Sequence, residues 1–149
     1  MGISALVLWI LTAGGGFYLL AKWVGGGGHR RSSDTRFPPA VIFGHFLLAV
    51  AGLVLWIIYV AAGMAVIGWV AFIVLAVVAL LGFIMLAMWI PSYRNTRAPV
   101  STGDPESAQA AGTAPPERSF PVAVVAAHGV LAVATAVLVL LTMLGVGAS

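Results

Sequence analysis

Of 149 residues, 62% are hydrophobic and 7% charged, and the mean hydropathy is +1.11, which excludes a soluble globular domain. The formal charge of +3 is carried by residues in two short connections and not by a folded basic face, so no nucleic-acid partner is implied. The chain has no cysteine, which excludes disulfides, thiolate metal ligands, cysteine nucleophiles and cofactor attachment through a Cys-x-x-Cys-His motif.

A hydrocarbon core of about 30 Å is crossed by about 20 apolar residues in a helix. Four runs meet that length, at residues 3–24, 38–62, 65–90 and 120–147. They predict an all-α integral membrane protein, a four-helix bundle occupying the whole chain. The first helix contains Gly14, Gly15 and Gly16, small residues that let another surface approach the backbone. It lacks a basic leader and a small-residue cleavage pattern, so it is expected to stay in the mature protein. The stretch from Gly25 to Arg36 reads as a flexible polar loop, with His29 solvated or at lipid headgroups.

The second helix opens on Phe37-Pro38 and the fourth on Phe120-Pro121. Proline suits a first turn, where its missing amide would have had no partner. Asp34 and Glu117, each three residues before its phenylalanine, are expected to place negative charge at the positive helix end. The third helix is expected to end at Pro91, with Trp69 and Trp89 as interfacial anchors. Residues 95–117, rich in Pro, Ala, Ser, Thr and Gly, read as a flexible loop. Trp9, Phe17, Phe43, Trp56 and Tyr59 are expected to face lipid or the interface. Lys22, Arg30, Arg31 and Arg36 surround the first connection, and Arg94, Arg97 and Arg118 the third. The positive-inside rule makes both cytoplasmic and both termini external, as in a multi-pass protein of a plasma membrane, most simply a prokaryotic inner membrane.

The chain also repeats itself. Phe37, Pro38, Ala40, Val41, His45, Leu48, Ala49, Val50, Ala51, Val54 and Leu55 align without a gap on Phe120, Pro121, Ala123, Val124, His128, Leu131, Ala132, Val133, Ala134, Val137 and Leu138. Gly16-Phe17 to Trp23 aligns likewise on Gly82-Phe83 to Trp89. The predicted repeating unit is a two-helix pair, residues 1–62 and 65–147.

The one polar residue deep in each copy is a histidine, His45 or His128. Each lies seven residues beyond its helix-starting proline, about 10 Å along the axis. Helices two and four run in the same direction, so the rings share one depth, and in an up-down bundle these helices are diagonal. Gly16 and Gly82, seven residues before Trp23 and Trp89, reach that depth from the other two helices. Ala49 and Ala132 follow the histidines by one turn.

Two diagonal histidines at one level, lined by small residues, resemble the b-type membrane cytochromes that hold haem between paired histidines of a four-helix bundle. The resemblance implies His45 and His128 as axial ligands of one haem b per chain. It further implies Gly16, Gly82, Ala49 and Ala132 packed on the ring, and Arg36 and Arg118 at the propionates. The implied function is a small cytochrome or the haem-bearing anchor of a respiratory complex, with a quinone or partner redox centre exchanging electrons. It would be an electron-transfer subunit with no catalysis of its own. Structural hydrogen bonding by the histidines stays open beside ligation. So do a non-redox accessory subunit of a larger membrane complex or homo-oligomer, and a small parallel-repeat transporter, although no acidic residue lies inside any helix.

Overall fold

The computed structural model describes residues 1–30, 34–94 and 115–146. They form α1 (Gly2–Gly25), α2 (Pro39–Ala62), α3 (Ala65–Arg94), a 3-10 turn (Pro116–Ser119) and α4 (Val122–Met143), with no strand among them. Each of the four helices is long and apolar enough to cross a membrane. The chain is therefore a multi-pass membrane protein, because in lipid a spanning segment must satisfy its backbone polar groups internally and a helix does so.

Two boundaries differ from the sequence expectation. The third helix runs through Pro91 to Arg94; proline is tolerated inside membrane helices where neighbouring groups and local backbone adjustment offset its lost hydrogen bond and its clash with the preceding turn. The fourth ends at Met143, followed by a turn in which Gly145 and Val146 donate to Thr142 and Leu141 carbonyls. The predicted flexible loop lies outside the described residues from 95 to 114, but its last residues, Pro116 and Glu117, are ordered and buried.

Two residues separate α2 from α3. Gly63 takes the left-handed conformation (φ +68°) that closes α2, and its amide donates to the Tyr59 carbonyl, a geometry glycine adopts without a side-chain penalty. The tight connection makes α2 and α3 intimate neighbours. The equally intimate contact is between α1 and α4, whereas α1 with α2 and α3 with α4 touch more sparingly, and α2 and α4 are diagonal. Each close pair thus takes one helix from either side of the α2–α3 turn.

The core is in two pieces. Towards the terminal end, Ala5, Trp9, Trp56, Ala71, Leu75 and Val139 are buried together. Towards the loop end, Trp23, Phe37, Ile42 and Trp89 form a second cluster. Trp9 and Trp56, expected at the lipid surface, are therefore core residues, while Phe17 and Phe43 are exposed as expected. Trp89 is likewise buried and not an interfacial anchor. Its indole donates to the Glu117 carbonyl (3.1 Å), as the Trp23 indole donates to Thr35 Oγ1 (3.0 Å).

Glu117 departs furthest from its sequence reading. It is fully buried, and its carboxylate accepts from Thr35 Oγ1 (2.9 Å) and the Arg36 amide (2.7 Å). It clasps the connection before α2 and does not cap α4, which has no side-chain cap.

Candidate functional site

Between the two apolar clusters lies a polar layer. His45 and His128 meet across the bundle axis with ring centres 6.4 Å apart and ring planes 62° apart. The diagonal placement of α2 and α4 brings the rings to the axis, and the equal spacing from each helix start brings them to one level.

Each ring is held the same way. His45 Nδ1 lies 3.0 Å from the Val78 carbonyl of α3, and His128 Nδ1 lies 2.9 Å from the Thr12 carbonyl of α1. Val78 is four residues before Gly82 and Thr12 four before Gly16, so each carbonyl already serves the glycine amide one turn on. The glycines give the rings access to it. A Cβ on Gly16 would stand 3.0 Å from His128 Cε1, one on Gly82 3.3 Å from His45 Cε1, and one on Gly15 3.5 Å from His128 Nδ1. The matched glycines thus lie directly against the imidazoles.

A carbonyl only accepts, so Nδ1 carries the proton in each bond, and in a neutral imidazole Nε2 is then a bare lone pair. Neither Nε2 is sealed in the core, and neither has a hydrogen-bond partner among the described residues. Each Nε2 is then available to accept a hydrogen bond or to bind a cation.

The ring geometry is compatible with an ion held between the imidazoles and equally with an edge-to-face ring contact. Two imidazoles sharing one ion at about 2.0 Å per bond have ring centres about 6 Å apart, close to the 6.4 Å separation here. Fixing Nδ1 on a carbonyl is also the usual outer-shell arrangement that orients a ligating histidine and sets its tautomer. No group of three or more His, Cys, Asp or Glu converges among the described residues, so the layer lacks the further ligands of a closed zinc or copper site.

The remaining predicted residues are distributed around this layer. Ala49 and Ala132 are half-buried one turn beyond the histidines, and Arg36 and Arg118 are exposed at the loop end. Two threonines for which sequence reasoning named no bonding partner also belong here. Buried Thr12 and Thr135 approach to 3.3 Å through their hydroxyls, which also reach the Leu8 (2.9 Å) and Leu131 (2.8 Å) carbonyls of their own helices. The only local signal for Thr12 was its place one turn before Gly16.

No protein-family model, curated protein or solved structure matches this chain.

Proposed function

We propose that this protein is a small b-type membrane cytochrome, or the haem-bearing anchor of a larger electron-transfer complex, with His45 and His128 as axial ligands through Nε2. The observation that carries this reading is the pair of rings 6.4 Å apart, each with Nδ1 on a backbone carbonyl and Nε2 without a hydrogen-bond partner among the described residues. Haem bound there would supply one-electron redox chemistry. The chain's own residues fix both tautomers, keep the rings at one depth, and supply the apolar clusters that shield the layer at either end. Arg36 and Arg118, at the loop ends of the two ligand helices, are the candidate cations for propionates. Gly16, Gly82, Ala49 and Ala132 keep the layer lined with small groups. A quinone or a partner redox centre would exchange the electron, and the chain would work as a subunit.

The same reading takes the two helix pairs as products of duplication, with both termini external. Its support is that each histidine bonds the carbonyl one turn before the matching glycine of the other unit. A cysteine placed in the loop of residues 95–117 is expected to resist labelling from outside intact cells, and labelling there would reverse the orientation.

The test is the oxidised-minus-reduced visible spectrum of the detergent-purified protein, with pyridine extraction to count haem. One low-spin b-type haem per chain, lost in His45→Ala and in His128→Ala, is the expected result. Folded protein expressed with ample haem and showing no visible absorption would falsify the reading, as would full haem content in either variant. Weight would then pass to the second reading, a non-redox accessory subunit, favoured by the two Nδ1–carbonyl bonds that tie α2 to α3 and α4 to α1.

A further inference from the structure

We propose that the loop end of the bundle carries a binding site for a phosphate group, apart from the histidines and sharing only Arg36 with the haem reading above. The site is a cleft of about 380 Å³ whose lining includes Gly28, His29, Arg30, Thr35, Arg36 and Pro39.

Its walls are built. The connection after α1, expected to be flexible, folds through Gly27 N to the Val24 carbonyl (3.0 Å), Gly28 N to the Trp23 carbonyl (2.9 Å) and Arg30 N to the Gly27 carbonyl (2.9 Å). Gly27 has φ +80°. Gly28 lies flat on the Trp23 indole where a Cβ has no room, and a Cβ on Gly26 would meet Pro116 at 2.9 Å. The opposite wall is braced by the hydrogen bonds that tie Thr35 and the Arg36 amide to Glu117. Arg30 and Arg36 therefore project from two fixed strips of backbone, and both are exposed.

Among the described residues that line the cleft, the charge is one-sided. Arg30, Arg36 and His29 line it, while the Glu117 carboxylate is turned inward with its oxygens accepting from the Thr35 hydroxyl and the Arg36 amide. Asp34, exposed beside Thr35, is the neighbouring acid in the chain. Gathering like charges is unfavourable in isolation and favourable around an anion, and the planar guanidinium fork matches a phosphate bidentately. The floor, Phe37 with Pro38 and Pro39, is apolar and suits the glycerol and acyl portion of a lipid. The cleft lies where the apolar helices end, the level at which a bilayer presents its phosphates. The stretch before α4 differs: it is folded into a 3-10 turn with Pro116 and Glu117 buried. A phosphate in the cleft engages Arg36 and leaves Arg118 as the remaining candidate cation for a propionate.

The shared chemistry is a phosphate ester, borne either by an anionic phospholipid or by a soluble compound. The experiment uses the full chain in nanodiscs of phosphatidylcholine with or without phosphatidylglycerol, retained lipid being counted by native mass spectrometry. Glycerol phosphate binding is measured by calorimetry in the phosphatidylcholine discs. Retention of phosphatidylglycerol that falls about tenfold in an Arg30→Gln, Arg36→Gln variant, and stays in the charge-matched Lys22→Gln, Arg94→Gln variant, establishes a headgroup site. Glycerol phosphate binding with the same variant pattern establishes a soluble phosphate ester. Equal losses in both double variants, or no binding in either arm, overturn the proposal. Unchanged melting of the two variants ensures that folded protein is compared.

Discussion

His45 and His128 make the same bond in two unlike settings. Around His128, the α1–α4 pair places the Thr12 and Thr135 hydroxyls 3.3 Å apart in the buried interior. Around His45, the residue that offers its carbonyl is Val78, and the position seven residues beyond the histidine is Gly52. A Cβ on Gly52 would stand 3.1 Å from the Trp9 ring, so a large indole fills the space. The matching residue of the other half, seven before its glycine, is Leu75. The seams differ too. Phe17 and Phe46 meet edge to face at 5.2 Å between α1 and α2, whereas the corresponding Phe83 and Gly129 are both exposed, and a Cβ on Gly129 would touch nothing within 4 Å. The comparison teaches that the backbone bond to Nδ1 is what the two halves share, while side-chain packing makes the two rings inequivalent.

The largest expected effect removes the shared feature. On the haem reading proposed above, His45→Ala and His128→Ala each abolish the low-spin spectrum, because an iron left with one imidazole is no longer bis-ligated. A low-spin spectrum kept by either variant overturns that reading.

The next effect concerns the glycines. Gly16→Ala, whose new Cβ stands 3.0 Å from His128, is expected to cost about 1–3 kcal/mol, and Gly82→Ala, at 3.3 Å from His45, distinctly less. Melting of the purified variants in one detergent measures this, and equal losses would erase the distinction between the halves.

A smaller change makes the halves alike. Thr12→Val gives the α1–α4 pair the residue its partner has at Val78, and removes a membrane hydrogen bond of about 0.6 kcal/mol. A melting shift within error would show that the two hydroxyls contact without bonding. The smallest effect is at the loop end, where exposed Arg118→Gln is expected to weaken haem retention by no more than about fivefold.

The candidate site was partly legible in the chain. Equal spacing from proline to histidine, and from glycine to tryptophan, located one level from four helices, because rise per residue converts chain distance into depth. The partner of each imidazole was not legible. All four helices are apolar around their whole circumference, so no stripe marks the face turned inward, and nothing local says which carbonyl a ring will reach. The burial of Trp89, expected as an interfacial anchor, and of Trp23 was hidden for the same reason. Glu117 was misread because a carboxylate just before a helix has an obvious local use. Its actual donors, Thr35 and Arg36, lie more than eighty residues away along the chain.

The membrane setting, the number of spans, the paired histidines and their common depth were determined by sequence, since these follow from run length, composition and spacing along one axis. Only the tertiary structure decided that α1 embraces α4 and α2 embraces α3, that Thr12 and Val78 supply the carbonyls, and that a buried glutamate clasps the two loops. Those outcomes depend on lateral packing and on hydrogen bonds between distant segments, which length and hydropathy leave open.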